Sequence, residues 1–328
     1  MSLVGDIRLS TFILVILVCL IPCYGFVHTD QSNSKPLVVA TTSVISSIVK
    51  DLASDALNVV YIVPPSLCPG HYDIRPGDVE LVKSANLILK HGIAGEFWLD
   101  TLISKANESG DLHVPVVSIG GSWNTPTAAR ALYENVALAI QDHLGIDVSQ
   151  RLNSCLQAIN NTEAELMKLA SENQFMGVPV VAMLWQKPFV EFLGFKVVAT
   201  YGPPEKLSES DIAKIIENAT RENAKLVIDN VHSGVSVGEK IATHVGAVHV
   251  ALINFPEILP EANNLTTMMI YNARLLANAI NEYEYRLEIQ RLKATNDLLV
   301  QIAISIGLIA AVETSLILMI VMRRKRQT

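Results

Sequence analysis

The sequence predicts an α/β protein with two lobes, each built on a four-stranded, mostly parallel sheet, bridged by one long helix and followed by a C-terminal transmembrane helix. Short β-branched runs alternate with helical patterns, and a long strand-free segment divides these runs into two groups of four. A long apolar run near the C-terminus predicts the membrane helix. The predicted strands are Leu37–Thr42, Leu57–Val63, Asn86–Lys90 and Val114–Ile119 in the first lobe, and Val178–Leu184, Lys196–Thr200, Lys225–Asn230 and Val248–Ile253 in the second.

The first 27 residues read as a signal peptide. An apolar run of about a dozen residues, 11–22, fits the core of a signal peptide better than a spanning helix, which needs about 20 residues. An uncleaved membrane anchor is the alternative. Residues 28–36 are polar and are expected to form a tether between this leader and the body.

The long helix that bridges the lobes is predicted over residues 147–174. This segment shows no strand pattern, and its apolar residues recur at helical spacing. It therefore divides the body into an N-terminal lobe, 37–146, and a C-terminal lobe, 175–285. The apolar residues in question are Leu152, Leu156, Ile159, Leu166 and Leu169.

The C-terminal region predicts a single membrane span. A charged stalk, 286–297, leads into the 25-residue apolar stretch 298–322, and the tail 323–328 is basic. A helix of that length crosses a hydrocarbon core of about 30 Å. Because basic residues mark the cytoplasmic side, the body is expected outside the cell membrane and the C-terminus in the cytoplasm. Glu313 inside the span is either a tolerated polar residue or a contact with a membrane partner.

Composition excludes several classes of protein. Half of the 328 residues are hydrophobic and 17% are charged, the opposite of the balance found in disordered chains. The net charge of −7 argues against a nucleic-acid partner, which would favour a basic surface. The 4 cysteines are too few and too scattered for a disulfide scaffold or a Cys-x-x-Cys zinc site.

Several segments carry a family resemblance. They are Val38-Val-Ala-Thr-Thr, Val63-Pro-Pro, Cys68-Pro-Gly-His-Tyr-Asp-Ile-Arg-Pro-Gly-Asp78, Ala85-Asn-Leu-Ile-Leu, Gly95-Glu-Phe-Trp-Leu-Asp100, Trp123-Asn-Thr-Pro126 and Met268-Met-Ile-Tyr-Asn272. Through them the chain, over roughly residues 36–285, resembles the zinc- and manganese-type solute-binding proteins of metal ABC transporters. The resemblance implies two α/β lobes joined by one helix. It also implies an external receptor that passes a metal to an ABC permease.

The sequence departs from this family at the metal ligands. Gly70 stands where the family has its first histidine, and Gly121 replaces the second. No histidine occurs around Met183 and Trp185, and Asn263 takes the approximate place of the closing aspartate. None of the customary ligands can therefore be transferred to this chain.

A replacement metal site is predicted from the positions of the histidines. In open α/β sheets, ligands bind beyond the carboxyl ends of the strands, and His71, His91 and His232 each follow such an end. Neutral imidazoles suit zinc, copper, nickel or iron, so we expect a zinc-like transition metal as the transported ligand. Cys68 and Asp73 are candidates for a fourth ligand or a supporting acceptor.

Each candidate has a simpler alternative. A histidine in a loop is more often a surface or hydrogen-bonding residue than a metal ligand, and Cys68 could be a small buried residue. Trp98 and Trp123 are expected to pack in the core or against helices.

Two functions follow from these observations. The leading hypothesis is a membrane-anchored, extracellular substrate-binding component of a metal-ion ABC transporter, which hands its metal to a permease. The second is an adhesin or sensor on the same fold without metal delivery, for which the missing ligands are the motive. The chain is not expected to be an enzyme, since it has no nucleophile elbow, phosphate loop or His-Glu-x-x-His helix.

Overall fold

The computed structural model describes residues 34–108, 110 and 112–325. The predicted signal peptide, residues 28–33 of the tether and the last three residues of the tail lie outside the described residues. The two sheets and the helices that cover them are built from residues 37 onward.

The first sheet has four strands in the order β2-β1-β3-β4, and every pairing is parallel. The strands are β1 (Leu37–Ala40), β2 (Asn58–Tyr61), β3 (Leu87–Lys90) and β4 (Val116–Ser118). All four predicted strands are confirmed, but they are shorter than predicted. Strand β4 keeps three of its six predicted residues and pairs with β3 alone at the sheet edge.

The second sheet repeats the same order, β6-β5-β7-β8, again with parallel pairings only. Its strands are β5 (Pro179–Met183), β6 (Lys196–Tyr201), β7 (Leu226–Asn230) and β8 (Val248–Leu252). The central strand β7 is buried along its whole length, as expected for a parallel strand covered on both faces. Two four-stranded parallel sheets are therefore confirmed.

Helices connect consecutive strands in both lobes, which gives crossover units of the usual α/β kind. The helices are α1 (Ser43–Ala53), α2 (Pro76–Ser84), α3 (Trp98–Ala106), α4 (Pro126–Leu144), α5 (Ser149–Glu172), α6 (Lys187–Phe192), α7 (Glu209–Arg221), α8 (Ser236–Val245) and α9 (Leu265–Lys325).

Local sequence sets the helix ends close to the cleft. Helix α4 begins after Thr125, whose hydroxyl accepts the Ala128 N–H, with Pro126 at its first position. It ends at Gly145, which adopts the left-handed conformation that favours glycine. This fixed start of α4 holds the preceding loop, which carries Trp123 into the cleft.

Helix α5 lies between the two lobes in the chain and packs against both. Its buried face includes Ile159 and Leu166. Arg151 at its start pairs with Asp55 of the first lobe at 2.6 Å, and Glu165 near its end pairs with Arg274 of α9 at 3.1 Å. An uninterrupted helix attached at both ends limits how freely the two lobes move apart.

Helix α9 is 61 residues long, which corresponds to about 90 Å at 1.5 Å per residue. Its first turns bury Leu265, Met268 and Leu276 against the second lobe. The predicted stalk and the predicted span form one unbroken helix with these turns, and the side chains of the apolar stretch are exposed. The helix is long and apolar enough to cross a membrane, with a mean hydropathy of 2.3 over its most apolar window.

A buried carboxylate ties the second sheet together. Asp229 of β7 is fully buried and accepts hydrogen bonds from the Tyr201 hydroxyl of β6 at 2.6 Å and from His249 Nε2 of β8 at 2.9 Å. Gly238 of α8 lies against this group, and a Cβ atom there would stand 2.0 Å from Asp229 Oδ2. Position 238 therefore requires glycine, and Asp229 has a structural partner for each carboxylate oxygen.

Candidate functional site

Loops that follow strands of both sheets meet in one cleft. From the first lobe come His91, directly after β3, and Trp123, between β4 and α4. From the second lobe come His232, after β7, and Phe255, after β8. These are the carboxyl ends of parallel strands, where α/β proteins of this kind bind their ligands.

Four rings cross the cleft in contact with one another. The centroids of His91 and Trp123 lie 4.7 Å apart, those of Trp123 and Phe255 lie 5.8 Å apart, and those of Phe255 and His232 lie 4.9 Å apart. Trp123 and Phe255 are stacked at 26°, while each imidazole meets its neighbour edge-on. Stacked and edge-to-face contacts are the favourable arrangements of aromatic pairs. We call this set the ring stack.

Hydrogen bonds across the cleft accompany the ring stack. The Trp123 indole N–H donates to the Asn254 carbonyl at 2.5 Å, and the Asn124 amide donates to the Trp185 carbonyl at 2.7 Å. Farther from the rings, Lys50 Nζ lies 2.6 Å from a carboxylate oxygen of Glu257. In this arrangement an aromatic contact, two hydrogen bonds to backbone carbonyls and an ion pair help to hold the two lobes together.

His232 is neutral, and the lone pair on its Nε2 atom already accepts a hydrogen bond. The backbone N–H of Asn254 donates to His232 Nε2 at 3.2 Å, so the ring proton resides on Nδ1. Burial lowers the pKa of His232 to about 4, and the Ser66 backbone opposes this shift only in part. A metal binds an imidazole through a nitrogen lone pair, and here that lone pair accepts a hydrogen bond.

His91 is completely buried at the first-lobe end of the ring stack. Its Nδ1 lies 3.0 Å from the Thr42 hydroxyl, and Nε2 has no hydrogen-bond partner among the described residues. Burial lowers the pKa of His91 to about 3, so this ring is also neutral at pH 7. Both imidazoles of the ring stack are therefore uncharged.

A buried carboxylate positions the loop that carries His91. Glu96 accepts hydrogen bonds from the Thr41 hydroxyl and, at 2.6 Å, from the Gly92 N–H. The same Thr41 oxygen accepts the His91 backbone N–H at 2.9 Å. Burial raises the pKa of Glu96, and these hydrogen bonds oppose that shift. Glu96 thus fixes the loop after β3 rather than reaching into the cleft.

His71 lies apart from the other two predicted ligands. It ends a short 3₁₀ turn, Pro69–His71, its side chain is 62% exposed, and its Nε2 lies 3.9 Å from Glu205. Among the residues that the structure describes, no three histidine, cysteine, aspartate or glutamate side chains converge in a way that could hold a metal ion. The structure does not bring His71, His91 and His232 together, and their role as ligands stays a prediction.

The cleft encloses a cavity of about 370 Å³ beside the ring stack. Trp123, Phe255 and Trp185 supply aromatic walls, and Asn230, Ser122 and Ser233 supply polar groups. No lysine, arginine, aspartate or glutamate lines it, and His232 is neutral, so the lining side chains carry no charge. Cys68 lines this cavity, whereas Asp73 is exposed and does not.

A larger cavity, of about 660 Å³, lies between α8, β8 and the exposed part of α9. It is lined by charged side chains that include Glu239 and Arg286 and is remote from the carboxyl ends of the strands. Its position in the fold, rather than its size, makes the smaller cavity the candidate functional site.

Sequence reasoning missed the aromatic residues of this site. Trp98 and Trp123 are both buried in the core as expected, but Trp123 in addition makes contacts across the cleft. Phe255 and Asn254 follow the carboxyl end of β8, and no histidine marks that end. Applying the strand-end criterion to aromatic and amide residues as well as histidines would have identified both.

Comparison with known families gives a match over most of the body. The model of the family described as zinc-uptake complex component A, periplasmic, matches residues 38–279. The match covers both sheets, the linking helix and the first part of α9.

Curated relatives match over a shorter stretch. The manganese ABC transporter substrate-binding lipoprotein scaA of Streptococcus gordonii is 38% identical over 96 residues, which is 28% of this chain and 31% of the relative. The metal ABC transporter substrate-binding lipoprotein SsaB of Streptococcus sanguinis is 34% identical over 113 residues, 33% of this chain and 37% of the relative. The matched segment therefore spans about a third of each of these relatives.

Solved structures share the fold. The periplasmic zinc-binding protein TroA from Treponema pallidum superposes with a TM-score of 0.63 at 18% identity, covering 75% of this chain and 99% of that one. A periplasmic metal-binding protein from Candidatus Liberibacter asiaticus superposes with a TM-score of 0.63 at 16% identity, covering 75% and 100%. At these identities the likeness concerns the fold alone.

The neutral imidazoles predict acid sensitivity. A histidine whose pKa is lowered by folding stabilises the fold fully above its ordinary value of 6.5, and this contribution is lost as the pH falls toward the folded value, about 4 for His232. The free energy of unfolding of the unmodified chain should therefore fall between pH 6.5 and 5. In His232→Gln it should fall less steeply, by about 1 kcal/mol per pH unit. Chemical denaturation of the full-length chain in detergent at several pH values measures this slope.

The exposed residue His113 provides the control. His113→Gln should keep the pH dependence of the unmodified chain. If His232→Gln keeps it too, the imidazole is not buried in its neutral form.

Proposed function

Because this chain belongs to the family of periplasmic zinc-uptake component A proteins, we propose that it is the extracellular substrate-binding component of a metal-ion ABC transporter. It captures a transition metal between its lobes and passes it to a permease in the membrane. The family match over residues 38–279 is the observation that carries this proposal. The family consists of solute-binding proteins for transport, so the expectation that the chain is not an enzyme is confirmed.

The proposed cargo is zinc-like. Relatives and structural neighbours are named for both manganese and zinc, so they leave the metal open. The chemistry of this cleft favours zinc, because imidazole nitrogens and a thiol are present and the cavity has no carboxylate lining. A manganese site would call for carboxylate oxygens.

The proposed ligands are His71, His91 and His232, and they require the cleft to open. The hydrogen bond from the Asn254 N–H to His232 Nε2 must break before that lone pair can bind a metal, and His71 must move away from Glu205. The His71–Glu205 contact joins the two lobes, and Asn254, which donates to His232 within the second lobe, also accepts the Trp123 N–H from the first. We therefore propose that the described arrangement is a closed state and that metal enters an opened one.

Removal of the outer imidazoles should weaken metal binding. We expect His71→Ala and His232→Ala each to lower the affinity for Zn²⁺ by at least about tenfold, since even the loss of an outer-shell partner costs that much. His113→Ala, an exposed residue outside the cleft, should leave the affinity unchanged. Calorimetric titration of the full-length chain in lipid nanodiscs with Zn²⁺ and Mn²⁺ gives these values. Unchanged affinity in both cleft variants would exclude a shared site.

We also propose that α9 anchors the body to the membrane. Residues 298–322 form the span, 286–297 the stalk and 323–328 the cytoplasmic tail, with residues 1–27 acting as the signal peptide. The N-terminal lobe 37–146, the linking helix 147–174 and the C-terminal lobe 175–285 are proposed to lie outside. The exposed apolar surface of α9 and the basic residues after it support this topology.

Proteolysis of intact cells tests the topology. Protease added from outside should remove the lobes and leave a C-terminal fragment of a few kilodaltons, because the tail and span are shielded. An epitope tag after Thr328 would report the fragment, and permeabilised cells serve as the digestion control. A body that resists digestion until the cells are permeabilised would place it inside.

A second function is favoured by one observation. No three metal-ligating side chains converge among the described residues, which suits a sensor or adhesin that uses the fold without delivering metal. The calorimetric titration separates the two, since a sensor or adhesin of this kind would show no saturable binding of Zn²⁺ or Mn²⁺.

A further inference from the structure

We propose that the cavity beside the ring stack binds an uncharged, planar heteroaromatic molecule in the absence of any metal. This goes beyond the proposed function, because it names a second class of ligand for the same cleft and does not depend on metal binding. The inference comes from the size, charge and wall chemistry of the cavity.

Size argues for a small organic molecule. The cavity of about 370 Å³ falls within the range of roughly 300–1,000 Å³ typical of small-molecule sites. A bare metal ion would instead need donor atoms that converge on one point, and the described residues offer no such group of three.

Charge argues for a neutral solute. None of the side chains that line the cavity belongs to a lysine, arginine, aspartate or glutamate residue. A carboxylate or an ammonium group placed here would lose its hydration without gaining an opposite charge, which is strongly unfavourable. The cavity therefore selects against ions of either sign.

Wall chemistry argues for a planar aromatic solute. Trp185 is 36% exposed at the cavity wall, whereas Trp123 and Phe255 are 8% and 5% exposed because they cover one another in the ring stack. Among the described residues no other ring stacks on Trp185, so its exposed aromatic surface is available. Flat heterocycles of many kinds stack on such surfaces, because each has a π-face. The Trp185 carbonyl accepts the Asn124 amide, which fixes its backbone across the cleft.

Polar groups in the wall match the edge of a heterocycle. The hydroxyls of Ser122 and Ser233 can each donate or accept a hydrogen bond, as ring nitrogens and exocyclic groups require. The Asn230 side chain already bonds within its own loop. Its Oδ1 accepts the backbone N–H of His232 at 3.0 Å, and its Nδ2 donates to the Ser233 hydroxyl at 3.3 Å. A stacking surface with a few neutral donors and acceptors is what an uncharged heterocycle needs.

The test uses the full-length chain in nanodiscs, treated with EDTA and titrated by calorimetry with adenine, benzimidazole and nicotinamide. At least one of the three should bind saturably. Trp185→Ala should weaken that binding by about tenfold or more, while Trp185→Phe, which keeps a stacking surface, should stay within about threefold of the unmodified chain. Ser122→Trp, which fills the cavity, should abolish binding. Tyr285→Ala removes an exposed aromatic residue of α9 and should change nothing.

Charge selectivity supplies a further criterion. Nicotinate is an anion of the same size and shape as nicotinamide. It should bind more weakly than each probe for which saturable binding is measured. Saturable binding of none of the three probes, binding that survives Trp185→Ala, or tighter binding of nicotinate would each overturn the proposal.

A parallel titration with Zn²⁺ separates this proposal from the metal receptor. Heteroaromatic binding by a chain that binds no metal would support the cavity proposal and overturn only the metal cargo. Metal binding by a chain that binds none of the three probes would support the metal cargo and overturn the cavity proposal.

Discussion

The arrangement of the cleft depends on one residue that crosses it. Trp123 leaves the first lobe just before α4, stacks on Phe255 and donates its indole N–H to the carbonyl of Asn254. A buried tryptophan must find a partner for that N–H, and here the partner belongs to the other lobe. The neighbouring bond from Asn124 to the Trp185 carbonyl holds the same pair of loops together. Lobe separation therefore uncovers aromatic surface and breaks hydrogen bonds at the same time.

This constraint determines what the cleft histidines can do. With Phe255 against Trp123, the Asn254 N–H is directed at His232 Nε2, and the imidazole becomes an acceptor within the protein. At the other end of the ring stack, Trp123 covers His91, whose burial keeps it neutral. The cleft as described thus offers aromatic and amide surfaces, and metal coordination through His232 Nε2 would require the Asn254 N–H to move away. Helix α5, which contacts both lobes, limits how far they can separate.

The fold was largely predictable from the sequence, and the candidate site was not. Buried parallel strands such as β7 are continuous apolar runs, and the strand-free stretch that became α5 has a clear helical period. The ends of strands were harder to place, because the strand ends depend on pairing with neighbours: β4 pairs over three residues and the edge strand β6 of the second sheet over five, and no local pattern records the difference. Local patterns also do not show which side chains meet across two lobes. Trp123 and Phe255 are 132 residues apart, His71 and Glu205 are 134 apart, and only the docking of the lobes brings either pair into contact.

The state of the His232 imidazole tests this account most directly. Nuclear magnetic resonance of the full-length chain with nitrogen-isotope-labelled histidine distinguishes the two neutral tautomers and the cation at pH 7. The account predicts a neutral ring with the proton on Nδ1 and with Nε2 accepting a hydrogen bond, assigned by loss of the signal in His232→Gln. A proton on Nε2, or a doubly protonated ring, would contradict it, because the Asn254 N–H could not then donate to that nitrogen and the ring stack would not close the cleft as described.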